Sequence, residues 1–346
     1  AGGLFVGSLY YQVYHDRQLD REAYLELNNT FAGRNVCDVL SNELQVEKHG
    51  KTLEVSSFLQ VLNHNDHRLD TLIFSLNPGF SIDSIISRGE RVEFHQNRQL
   101  LFLMPSEGLE PGRRRAFNFH YRGVPDESIA YLDIPKSQMD GIKRIMVAPI
   151  DKKPGIIHPE YMLLTPELNW YPVSGVGFNL ETFQPREPDF TRFSLTVNAD
   201  SSLTAIAPGR ISTNEKGVIF RPEQDLNAFP LVLAPLERRS MEIDGVEYNL
   251  YLAPEHDYFS DYFTHIQDTL QALIKEAKDD YELDELDLYY EFKRINLVEV
   301  PIQYHAYERP YMQTVDYILP EMILLPEKGA GITTLDFARY KKVAER

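Results

Sequence analysis

Hydrophobic and polar positions along this chain change period twice, and the changes divide it into three segments. From Leu44 onward the period is two. Leu53 and Val55, then Leu72, Phe74 and Leu76, then Phe117, Phe119 and Tyr121, then Phe193, Leu195 and Val197 fall on every second position. That is the pattern of half-buried strands. Turn signals separate the runs: Asn77-Pro78-Gly79, Glu110-Pro111-Gly112, Ala207-Pro208-Gly209 and Asp244-Gly245. The last lies between Met241-Glu242-Ile243 and Val246-Glu247-Tyr248, so it predicts a tight hairpin. Strands at this spacing, joined by such turns, predict antiparallel sheets packed as a sandwich.

Residues 15–40 are polar, with Leu19, Tyr24 and Leu27 near helical spacing, and predict a helical lead-in. Past Pro254 the period lengthens again. Phe259, Tyr262, Phe263, Ile266, Leu270, Leu273, Ile274 and Ala277 form one apolar stripe of an amphipathic helix. Leu286, Leu288, Tyr290 and Phe292 then alternate as a strand, followed by Ile295 to Val300. The expected organisation is a lead-in over 1–43, a β domain over 44–254 and an α+β segment over 255–346. The fold class is mainly β, a sandwich-like antiparallel domain followed by an α+β segment.

Length and charge then narrow the function. A chain of 346 residues with 43% hydrophobic content builds a substantial core across two or three domains. Its 35 basic and 52 acidic residues give a net charge of −17, which argues against a nucleic-acid partner. The one dense basic run, Arg113-Arg114-Arg115, follows a Pro-Gly turn and reads as a solvated tip. The single cysteine, Cys37, rules out an internal disulfide framework. Residues 2–11 are apolar but short; they read as an N-terminal strand, or as the first residues beyond a membrane helix.

Candidate chemistry is sparse. His64 and His67 flank Asp66 in a turn-rich stretch, which favours a solvated loop over a metal site. Glu282, Asp284, Glu285 and Asp287 could bind a cation, but read better as a charged strand edge or turn. Nine tyrosines between 251 and 311 suit a core or seam better than a ligand groove. Neither a Gly-x-Ser-x-Gly elbow nor a Gly-rich phosphate loop occurs.

The order of motifs carries more than any one of them. Tyr281-Glu282-Leu283-Asp284-Glu285-Leu286-Asp287, with the helix before it and Leu297-Val298-Glu299-Val300-Pro301 after it, resembles the start of the catalytic domain of aminopeptidase N-like zinc metallopeptidases. Upstream, Leu76-Asn77-Pro78-Gly79, Tyr121-Arg122-Gly123, Trp170-Tyr171-Pro172 and the Phe193-x-Leu195-x-Val197 strand resemble that family's N-terminal β domain. The resemblance covers about residues 44–330. It implies a substrate-facing carboxylate near Glu167. It also places the family's Gly-x-Met-Glu-Asn loop near Tyr317-Ile318-Leu319-Pro320-Glu321. Aligning Ile323 and Glu327 with the end of that loop puts Leu319 where its Asn belongs, and Glu321 is only a neighbour of the expected glutamate. Catalysis in this family needs a His-Glu-x-x-His helix and a carboxylate ligand, and none of the ten histidines opens that motif. No catalytic or metal-binding residue is therefore assigned. No cofactor is assigned either, zinc entering only if a parent protein continues into such a motif.

A narrower resemblance is to the peptidase-like extracytoplasmic region of some bacterial ABC transporter permeases. It rests on Tyr10-Tyr11, Leu62-Asn63, Leu76-Asn77-Pro78-Gly79 and the apolar start. It implies a non-catalytic domain at the extracytoplasmic face of the inner membrane. It further implies a peptide-like or lipoprotein-like ligand at Glu167 and Glu321, a cytoplasmic ATPase as partner, and membrane helices outside this chain. The alternatives are a fragment of a zinc aminopeptidase and an adhesive β-sandwich module.

Overall fold

A computed structural model describes residues 19–132, 134, 137, 143–145, 148–150, 152–176, 178–179, 184–185, 189–243, 245–256, 268, 271–273, 275–276, 292–309, 314–315 and 318–327. The chain divides into two compact units. The first comprises residues 1–141, 153–201 and 205–233, and the second 142–152, 202–204 and 234–346.

The first unit is organised around the hairpin Asp38–His49 and Thr52–Leu62, which turns at Gly50-Lys51. On the first strand Leu44 and Val46 are buried while Glu43, Gln45 and Glu47 are exposed, so the period of two becomes an inner and an outer face. The hairpin sits in the middle of an eight-stranded sheet. The strand order is Arg210–Asn214, Gly217–Arg221, Arg192–Asn198, Asp38–His49, Thr52–Leu62, Arg114–Gly123, Phe80–Ser87 and Glu90–Arg91. Among its pairings, only that of Asp38–His49 with Arg192–Asn198 is parallel, in register from Ser41↔Arg192 to Glu47↔Asn198. The sheet begins at Asp38 rather than Leu44. A register shift between Val39 and Ser41 breaks the alternation there, so the first turn of strand carries no clean pattern.

A second, antiparallel sheet packs against the inner face. Its strands are Val173–Ser174, Leu72–Ser75, Leu100–Met104 and Glu93–Asn97. All four residues of Leu72–Ser75 are buried because the strand is covered on both sides. Phe74 meets Phe119 of the large sheet edge-on at 5.8 Å. Ile73, on the other side, packs with Leu100, Val176, Leu27 and Phe31. Leu27 and Phe31 belong to a helix over residues 19–31. The unit is thus sheet, sheet and helix, in three layers.

The lead-in helix follows from the spacing of Tyr24, Leu27 and Phe31, which puts one apolar stripe on the core. Tyr24 packs against Ile129 and Leu132. Arg21 reaches three backbone carbonyls, those of Tyr131, Leu132 and Ile134, at 2.7–3.2 Å. Gly33 at φ 67° closes the helix in the left-handed conformation that glycine adopts without strain.

The second unit holds a five-stranded mixed sheet in the order Glu237–Ile243, Val246–Leu252, Arg294–Val300, Met322–Pro326, Ile318–Leu319. The three middle strands run parallel. The Asp-Gly hairpin forms as expected, with Ile243 opposite Val246. It is part of this sheet rather than of the upstream β domain, because Val246–Leu252 pairs with Arg294–Val300. Of the apolar stripe at 259–277, residues 268, 271–273 and 275–276 are helical. The rest of that stripe, the alternating run Leu286–Tyr290 and residues 2–11 lie outside the described residues.

Candidate functional site

In the first unit the sequence motifs converge on one buried asparagine. Asn77 is fully buried and its side chain makes four hydrogen bonds. Its Nδ2 donates to the carbonyls of Leu168 and Asp126 at 2.7 and 3.0 Å. Its Oδ1 accepts from the amides of Asp126 and Gly79 at 2.7 and 2.9 Å. The Asn77 amide donates to the carbonyl of Asn169 at 2.8 Å. One amide side chain therefore ties together the loops after Leu76, after Gly123 and around Leu168. Tyr121 Oη donates to the carbonyl of Trp170 at 3.0 Å, and Trp170 Nε1 to that of Phe229 at 3.1 Å. Asn-Pro-Gly, Tyr-x-Gly and Trp-Tyr-Pro are parts of a single knot.

That knot fixes Glu167. The residue lies on a one-turn 3₁₀ helix, Pro166–Leu168, capped by Asn169 in the left-handed conformation. Leu168 on this turn is fully buried, and Glu167 beside it is half-buried.

In the second unit Glu321 belongs to a polar strip running across the sheet. Its side chain is 3% exposed and lies 3.6 Å from Arg294 Nη1. Arg294 Nε lies 3.7 Å from Glu247, which also pairs with Arg238. Arg238 Nε donates to Asn249 Oδ1 at 2.7 Å, Asn249 Nδ2 donates to Asn296 Oδ1 at 3.1 Å, and the Asn296 amide donates to the Glu321 carbonyl at 2.8 Å. Charges alternate along the strip, as buried ions require. Glu321 takes a left-handed φ of 53° at the turn between Ile318–Leu319 and Met322–Pro326, and that turn directs it toward Arg294.

Toward the carboxyl ends of the same parallel strands lies a second constellation, which the sequence reading did not single out. Glu299 accepts from the Ala253 amide at 2.7 Å and faces His256 Nδ1 at 2.8 Å. The hydrogen bond to Glu299, helped by the negative charge of Glu299, Glu327 and Glu255, raises the His256 pKa above its usual value against partial burial. Only the strand alternation of Glu299 hinted at it; the partner is 43 residues away.

The remaining candidates separate. His64 pairs with Asp38 at 2.6 Å and His67 with Asp66 at 3.0 Å, so the two imidazoles are bound to different carboxylates. Tyr251, Tyr304 and Tyr307 are buried. The acids at 282–287 lie outside the described residues. At the tip of the central hairpin, Glu47, His49 and Glu54 bring ligand-type atoms within 4.8 Å of one another, all exposed. That grouping follows from the i, i+2 spacing of Glu47 and His49 and the cross-strand pairing of Glu47 with Glu54.

Comparison with known proteins adds the fold. No family model matches the chain, and no curated protein matches it. Solved structures do. The M1 zinc metallopeptidase from Deinococcus radiodurans is 17% identical, with a TM-score of 0.56 over 89% of this chain and 63% of that one. A point mutant of that enzyme bound to a Tyr-Ser-Ala substrate is 18% identical, with a TM-score of 0.54 over 80% and 59%. A mutant two-domain M1 zinc metallopeptidase bound to L-arginine is 16% identical, with a TM-score of 0.55 over 89% and 63%. The class defined here is one of fold: a mainly β, antiparallel chain built like M1 zinc metallopeptidases. It spans about 60% of the length of these structures.

Proposed function

We propose that this chain is a non-catalytic, peptidase-shaped ligand-binding domain of an ABC-type transporter permease. It stands at the extracytoplasmic face of the inner membrane and takes a peptide-like or lipoprotein-like ligand. One observation supports the non-catalytic part above all. Glu321, which the sequence resemblance sets beside the position of the family's amine-holding glutamate, is closed into a buried pair with Arg294. A carboxylate neutralised in this way has lost most of its attraction for an ammonium group. On this reading the peptidase-like fold is kept while the carboxylate beside the expected reading position serves the sheet's own ion pairs. The transporter part rests on the sequence resemblance. Among the described residues no helix is long and apolar enough to cross a membrane; this reading places the spans in flanking segments.

A second reading is favoured by the structural likeness: the chain is the leading part of a zinc aminopeptidase, since the similar structures are M1 zinc metallopeptidases of which it spans about 60%. The parent protein, purified at full length, separates the two. With alanine p-nitroanilide and added Zn²⁺, the permease reading expects no chelator-sensitive hydrolysis and saturable binding of a labelled Tyr-Ser-Ala peptide. It also expects apolar spans of about 20 residues on both sides of this segment. Chelator-sensitive release of p-nitroaniline would restore the enzyme and end the non-catalytic reading.

A further inference from the structure

The outer face of the eight-stranded sheet carries charge that the rest of the chain does not lead one to expect. Arg114, Arg192 and Arg221 border an open groove of about 690 Å³ on this face. The register explains why they share a side. Arg192 and Ser194 lie beside Ser41 and Glu43, and Gln60 lies across from Ser41. The alternate residues Leu44, Leu195 and Phe117 point into the core. Arg114 enters the same face opposite Leu62. Arg210, on the edge strand, stands directly opposite Arg221. These four arginines span five inter-strand steps, about 24 Å at the usual strand spacing.

Two features mark the patch as a site rather than a scatter of solvated charges. Like charges placed directly opposite on adjacent strands repel, and Arg210 with Arg221 is such a pair in a chain of net charge −17. In addition, among the described residues the guanidinium groups of Arg114, Arg210 and Arg221 make no hydrogen bond or ion pair, and only Arg192 is engaged, by Asp225 at 3.3 Å. Fifty-two carboxylates are available in the sequence, yet within the groove only Glu43 and Asp225 accompany three arginines. The triple-arginine run resolves accordingly. Arg115 turns inward to Ser87 Oγ and the Gly108 carbonyl, which leaves Arg114 to the outer face.

We infer that this groove binds an acidic peptide segment in extended conformation. Guanidinium forks match carboxylates in bidentate geometry. The floor adds hydroxyl and amide groups from Ser41, Ser194 and Gln60 that match backbone and side-chain polar atoms. An extended strand of six residues covers about 20 Å, close to the span of the arginines. The concave, strand-floored shape suits a single chain better than a membrane surface. The site lies wholly within the first unit and does not depend on whether the parent is a permease or a peptidase.

Fluorescence anisotropy of the 346-residue chain with fluorescein-labelled hexaglutamate tests it. Hexaglutamate binds saturably, hexaglutamine does not, and binding weakens as salt screens the arginines. The double variant Arg114→Gln/Arg221→Gln weakens binding by about tenfold or more, each lost bidentate pair removing a charge-assisted contact. Arg122→Gln, on the same face but paired with Asp83 at 3.6 Å, leaves it unchanged. The inference is overturned if hexaglutamate and hexaglutamine bind alike or if the double variant binds as the parent does. It also fails if phosphatidylglycerol vesicles retain the chain through these arginines while hexaglutamate does not bind.

Discussion

The carbonyl oxygen of Gly79 occupies the space that a side chain on Gly123 would need: a Cβ there would fall 2.1 Å from it. A side chain on Gly79 is barred as well, since a Cβ there would meet the Val124 carbonyl at 2.1 Å. These are the glycines of Asn-Pro-Gly and Tyr-x-Gly, adjacent because Phe80 pairs with Gly123 at the end of their strands. Gly123→Ala is therefore expected to destabilise the first unit by about 3 kcal/mol, from overpacking and a φ of 154°. A urea titration showing an unchanged midpoint would remove the contact from the account.

Asn77 tests the same knot from its polar side. Asn77→Leu keeps the volume and leaves two carbonyls and two amides without their buried partner. A loss of at least about 3 kcal/mol is expected, since each orphaned buried group costs about 1–3 kcal/mol. Asn77→Asp keeps the two accepted hydrogen bonds but sets a buried carboxylate oxygen against the carbonyls of Leu168 and Asp126, so its unfolding midpoint should fall well below the parent's, and more at pH 8 than at pH 4.

Arg294 is expected to matter more than a surface ion pair. Arg294→Met takes the buried guanidinium away from the carboxylate of Glu321, a loss of about 3–5 kcal/mol. Adding Glu321→Met to that variant should restore much of it, because two apolar groups in place of a buried pair are close to neutral. If the double variant is no more stable than the single one in thermal unfolding, the pair is not the centre of the strip.

His256 sets a pH dependence. Its folded pKa is raised, so the stability it contributes is present in full below its unfolded value near 6.5 and fades as pH rises through the folded value. Glu299→Gln removes the chief cause of the shift. Melting temperature should fall more between pH 6 and pH 8 in the parent than in Glu299→Gln. A proton NMR titration of His256 that matches an unperturbed imidazole would contradict the assignment.

The strands were legible where one face is wet. Phe117, Phe119 and Tyr121, or Phe193, Leu195 and Val197, announce themselves because their neighbours meet water. Leu72–Ser75 carries the same alternation, which predicts a half-buried strand, yet all four residues are buried, because its second face is covered by the lead-in helix. The motifs around Asn77, Trp170 and Gly123 were legible as an ordered set, while their convergence was not, since it depends on loops 49 to 91 residues apart. Glu321 was visible as a carboxylate near an expected position. That Arg294 closes it depends on parallel pairing between strands, which periodicity does not encode.

The parallel join between Asp38–His49 and Arg192–Asn198 has a consequence for synthesis. The central hairpin is complete once residue 62 has emerged, but the strand that covers its open edge follows about 130 residues later. At about 5–20 residues per second, a ribosome exposes that edge for roughly 7–26 s. An unpaired strand edge is a template for the wrong partner. The newborn chain therefore passes through a window in which crowding by its own copies, or delay by a holding chaperone, decides the yield of folded protein.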